Sequence, residues 1–110
     1  DEALRGGLVR SIHPQAELLQ VARELAQEIV DNTAPVSVAL ARQMMWRMLG
    51  ASHPMEAHRV DSRGIQERGR SADTREGVMS FLQKRPAVFT DKVSTDIPDI
   101  FVGWEEPEFF

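Results

Sequence analysis

The chain has 110 residues, 42% of them hydrophobic and 27% charged, and carries a net charge of -4. That is material for one small domain, or part of one, with room for a core but none for a large enclosed active site. The acidic balance argues against nucleic acid as a partner, the absence of cysteine removes disulfides, thiolate metal sites and thiol nucleophiles together, and no apolar run reaches the roughly 20 residues that span a membrane. A cytoplasmic location is the default expectation.

The chain opens Asp1-Glu2-Ala3-Leu4 without an initiator methionine, as expected of a piece from inside a longer protein or of a chain whose leader has been cleaved. Gly6-Gly7 then leads into a brief extended stretch, Leu8 to Ile12. His13-Pro14 sets up the next element, with Pro14 suited to a first helical position. From Gln15 to about Asn32, Leu18, Ala22, Leu25 and Ile29 form one apolar stripe, widened by Leu19, Ala26 and Val30, which predicts an amphipathic helix. Pro35 opens a second helix to about Gly50. Val38, Ala41, Met45 and Met48, flanked by Leu40, Met44, Trp46 and Leu49, are apolar around much of its circumference, so burial on more than one side is expected.

Pro54 opens a third helix to about Arg70, rich in charge and carrying only Met55, Ala57, Val60 and Ile65 to bury. Gly64 and Gly69 each cost about 1 kcal/mol in a helix interior, so this helix is expected to lean on something outside the chain. Asp73 with Glu76 three residues on reads as a capping box, starting a fourth helix from Asp73 to Lys84. Arg85-Pro86 stops it and Phe89 follows as an aromatic anchor. The remainder is irregular, with Ile97, Ile100, Phe101, Trp104, Phe109 and Phe110 set among acids and prolines.

Few residues offer chemistry. His13, His53 and His58 lack the acidic partner that would complete a metal triad, and read as surface or helix-start residues. There is no Gly-x-Ser-x-Gly elbow and no glycine-rich phosphate loop. Met44, Met45, Met48 and Trp46 at helical spacing read as core, and Glu56 and Glu67 as a solvated face. The sequence names no catalytic residue and no metal ligand. Phe81 and Lys84 share one side of the fourth helix, where a ring can stack and an ammonium can pair with phosphate. The competing reading makes Phe81 core and Lys84 a cation favoured by the helix dipole.

Three stretches in this order, Ala3-Leu4-Arg5-Gly6-Gly7-Leu8-Val9, then Ile29 to Arg42, then Asp73-Thr74-Arg75-Glu76-Gly77 with Phe81, Lys84-Arg85 and Phe89, resemble the C-terminal third of the enoyl-CoA hydratase/isomerase (crotonase) family. The resemblance implies an all-α fold: the small helical C-terminal trimerisation domain of the crotonase/ClpP-like fold, with at most one short N-terminal extended segment. Residues 1–13 would be the end of the spiral core and 14–89 the helical oligomerisation domain, while the irregular tail, 90–110, departs from the common pattern and is expected to be an extension that packs over a neighbour. It implies an acyl-CoA thioester substrate, coenzyme A arriving as part of that substrate and no separate cofactor. It also implies a homo-oligomer, a trimer or hexamer. The oxyanion donors and catalytic glutamates of the family lie upstream, so none is carried onto this chain, which alone is expected to be inactive. Phe81 and Lys84 match positions near the adenine and phosphate end of coenzyme A bound mainly by an adjacent subunit. Hydratase is the leading reaction and isomerase the runner-up. From a different class, the chain reads as a purely structural oligomerisation module with no ligand role.

Overall fold

Pro35 has no N–H to leave unpaired in a first helical turn, and Ala34 before it is extended, so a helix starts there without a side-chain cap. The same device recurs at Pro54, where the Nδ1 of His53 also accepts from the N–H of Met55 at 3.0 Å. The computed structural model describes residues 1–106 and 108. Pro107, Phe109 and Phe110, read above as part of the tail, lie outside them. The described residues form five α-helices and no strand: α1 (Glu2–Arg5), α2 (Gln15–Asn32), α3 (Pro35–Arg47) continued by a 3₁₀ turn (Met48–Gly50), α4 (Pro54–Gly69) and α5 (Ala72–Gln83). The all-α expectation is met.

The chain divides into two compact units, residues 1–32 and 33–110. In the first, α1 is a single turn that the sequence reading passed over, closed when the N–H of Leu8 donates to the carbonyl of Ala3. Pro14 sits just outside α2 rather than at its first position, its carbonyl accepting from Glu17 and Leu18. Side chains one turn apart bond along the polar face of α2, Gln20 to Glu24 at 2.9 Å and Gln27 to Asp31 at 2.7 Å. Leu18, Leu19, Ile29 and Val30 are exposed.

The second unit has its own core of Val36 and Leu40 from α3, Val60 from α4, and Ile100 and Phe101 from the tail. Met44, Met48, Ile97 and Trp104 pack around it, partly buried. The burial differs from expectation on two counts. The second predicted helix, α3, is buried on one side only, since α4 and the tail cover that side and leave Met45 71% and Trp46 78% exposed. The weak third helix, α4, leans on this chain's own tail: Ile100 is fully buried, and a Cβ built on Gly64 would lie 3.4 Å from its Cδ1. Ile97, Ile100, Phe101 and Trp104 thus complete their own unit's core.

Candidate functional site

Helix α5 is capped two residues earlier than its acids suggest. Ser71, not Asp73, is the N-cap, its Oγ accepting from the N–H of Thr74 at 3.1 Å. The capping box read from Asp73 and Glu76 is not formed, because both carboxylates are claimed by the segment that follows the helix. Asp73 is 2% exposed, and its Oδ1 accepts from the N–H groups of Thr90 at 2.7 Å and Asp91 at 3.1 Å. Arg68 at the end of α4 completes the node, donating to Asp91 at 2.7 Å and lying 3.7 Å from Asp73. A buried carboxylate and a guanidinium therefore fix where the tail leaves α5.

Glu76 does the same one turn further along. It accepts from Arg85 at 2.5 and 2.8 Å and from the N–H of Val88 at 2.8 Å. This two-pronged bond to Arg85, with the Val88 N–H second, holds the Glu76 carboxyl down at about 2, against an ordinary 4.5, and raises the Arg85 guanidinium in turn. Of the basic pair read at 84–85, Arg85 is thus committed to structure, which leaves Lys84 as the uncommitted cation.

Lys84 ends α5 in the left-handed conformation, φ 52 and ψ 43. Its N–H bonds back to Ser80 and Phe81, and the N–H of Arg85 reaches the carbonyl of Ser80 at 3.1 Å, the double closure of a Schellman end. Glycine is the residue favoured at this position, since a side chain there costs about 1–2 kcal/mol. Lys84 is the only non-glycine with positive φ among the described residues. Phe81, one turn earlier, is 82% exposed, so among the described residues it is not a core ring. An exposed ring and an exposed ammonium therefore flank one helix end, with a strained backbone beneath the ammonium. That arrangement can offer stacking and charge to a flat anion.

Elsewhere the titratable candidates are dispersed. His13 bonds Ser11 locally at 2.6 Å, His53 is a helix cap, and His58 is exposed. Glu56 is exposed and accepts from Ser52 at 2.6 Å, and Glu67 is exposed. A contact that no local spacing signals joins α3 to the tail: the guanidinium of Arg47 lies 4.3 Å from the ring centroids of both Phe101 and Trp104. Cation–π attraction to two rings ties the tail over the end of α3.

With this geometry in hand, comparison with known proteins is informative. The family model described as Enoyl-CoA hydratase/isomerase matches residues 1–92. Enoyl-CoA hydratase ACTT3 of Alternaria alternata is 36% identical over 88 residues, covering 80% of this chain and 29% of that protein. Carnitinyl-CoA dehydratase of Escherichia coli K12 is 37% identical over 93 residues, covering 81% and 35%. A solved structure from Mycobacterium abscessus, described as an enoyl-CoA hydratase/isomerase, superposes with a TM-score of 0.68 at 37% identity, covering 81% of this chain and 36% of that one. The chain spans about a third of the length of these relatives.

Proposed function

This chain belongs to the enoyl-CoA hydratase/isomerase family, and we propose that it is the assembly platform and coenzyme A edge of a thioester-processing enzyme. In this reading the whole protein acts on an acyl-CoA, stabilising an enolate-like oxyanion with two backbone N–H donors and moving protons with carboxylates, all of them upstream of residue 1. Hydration is the leading reaction and double-bond isomerisation the second. The chain itself supplies contacts for a trimer or hexamer, works in the cytoplasm, and needs no cofactor beyond the coenzyme A of its substrate.

The observation that carries the ligand role is Lys84. A position where glycine would relieve backbone strain holds a cation instead, next to an exposed phenylalanine, and strain kept in place of stability points to use. Phe81 would stack on the adenine and Lys84 would pair with phosphate, presented to coenzyme A held mainly by an adjacent subunit. Titration of the chain with coenzyme A, followed by NMR, should shift resonances at the end of α5, and Lys84→Ala should abolish those shifts. Shifts that survive both Lys84→Ala and Phe81→Ala would remove these two residues from the ligand role. No shifts in the unmodified chain would leave the purely structural module, supported by the exposed apolar side of α3. Crotonyl-CoA added to the pure chain should not be hydrated, and turnover would contradict the upstream placement of the reactive groups.

A further inference from the structure

Directly after α5 the chain doubles back along the helix it has just left. Arg85 and the N–H of Val88 bond Glu76, a Cβ on Gly77 would lie 3.7 Å from the Cε1 of Phe89, and the N–H groups of Thr90 and Asp91 reach Asp73. The reversal is made at Lys84, whose backbone is left-handed. Strained backbone of that kind persists only where its surroundings over-determine it, and here one guanidinium supplies much of the restraint. Arg85 donates through Nε to the side chain of Gln83 at 2.7 Å, and through Nη1 to the carbonyl of Pro86 at 3.0 Å. Through Nη1 and Nη2 it donates to the two carboxylate oxygens of Glu76, at 2.5 and 2.8 Å. One side chain thus ties together the residue before Lys84, the second residue after it and the helix two turns back.

We infer that Glu76 is a positioning residue: through Arg85 and Val88 it keeps the Lys84 turn left-handed, and so fixes where the ammonium stands relative to the Phe81 ring. The inference rests on the reading of Phe81 and Lys84 as the coenzyme A edge, and adds to it a residue that touches no ligand. Without the clamp, Lys84 relaxes to the backbone that a side chain favours, and only the fraction of molecules in which the turn re-forms is competent to bind. Apparent affinity falls by that fraction. Simple charge acts in the opposite direction. Glu76 is an anion on the same helix as a site for phosphate, so removing its charge alone would strengthen binding. The two accounts therefore differ in sign.

Two measurements on the chain test this. By NMR without ligand, the cross-peak between the amide proton and Hα of residue 84, strong where φ is positive, should weaken in Glu76→Ala and in Arg85→Gln. Circular dichroism and the emission of Trp46 and Trp104 should stay unchanged. Titration with coenzyme A should then show affinity about tenfold weaker in Glu76→Ala, the factor for a turn formed about one time in ten. Glu76→Gln removes the same charge but keeps an acceptor for the Val88 N–H, so it should show the same sign with a smaller loss, and it carries both measurements if Glu76→Ala fails to fold. A cross-peak of full strength in the variants overturns the clamp, whatever the ligand does. A weakened cross-peak with affinity unchanged or increased overturns the positioning role and leaves the coenzyme A edge standing. An unmodified chain that gives no shifts with coenzyme A removes the edge itself, and the positioning role with it.

Discussion

Ile100→Ala is the sharpest probe of the claim that the tail is core. The side chain is fully buried in the core with residues of α3 and α4, its Cδ1 3.4 Å from where a Cβ on Gly64 would lie. Truncation removes three carbons, about 2.4 kcal/mol of transfer free energy at roughly 0.8 per carbon. The cavity left behind adds to this, bringing the loss to about 3–4 kcal/mol, within the range for such truncations. Both tryptophans belong to residues 33–110, so fluorescence in a urea titration reports that unit specifically. With a slope of about 1–1.5 kcal/mol per molar urea, the midpoint should fall by about 2–4 M at fixed protein concentration, or the unit should be unfolded without denaturant. A loss below about 1 kcal/mol would mean the tail only rests on the helices, and the account of the core would be wrong.

Asp73→Ala strands two N–H groups and part of a buried guanidinium, and should cost about 2–4 kcal/mol in the same titration, whereas Asp73→Asn keeps the Oδ1 acceptor and should cost less. Glu76 has its folded value lowered to about 2 from 4.5, so its contribution is fully present above pH 4.5 and is lost as pH falls toward 2. Asp96, lowered by the N–H of Lys92 and the hydroxyl of Thr95, acts in the same sense. Thermal midpoints measured across that window should drop, and Glu76→Gln should flatten the drop; an equally steep decline in the variant would exclude Glu76 as its source. Lys84→Gly should raise stability by about 0.5–1 kcal/mol by relieving the left-handed backbone while weakening coenzyme A binding; a destabilised variant would contradict the strain argument.

Local chemistry made several of these features readable before any coordinates. Proline at the first turn announces α3 and α4 to the residue, and the apolar stripe of α2 gives its extent from Gln15 to Asn32. The errors share a cause. Ser71 and Asp73 are both good caps, and the choice between them was settled by the Thr90 and Asp91 N–H groups, a contact across 17 and 18 residues that no local rule contains. The spacing of Phe81 and Lys84 implies one helix side for both, but α5 ends at Gln83 and lysine carries no sign of the left-handed backbone that follows, so neither the turn at Lys84 nor the strain under it was legible. Ile100 and Phe101 sit in a stretch without helical or strand period, and only their partners reveal them as core.

The family likeness ends at residue 92, yet two of the five core side chains lie after it. The boundary that evolution draws through similarity and the boundary that cooperativity draws through folding are therefore different places in this molecule. A version trimmed to the recognisable portion would keep every shared motif and lose the wedge that closes α3 on α4. Exchanging tails between relatives would likewise transplant part of the interior, and should succeed only where the incoming pair fits the hollow beside Gly64.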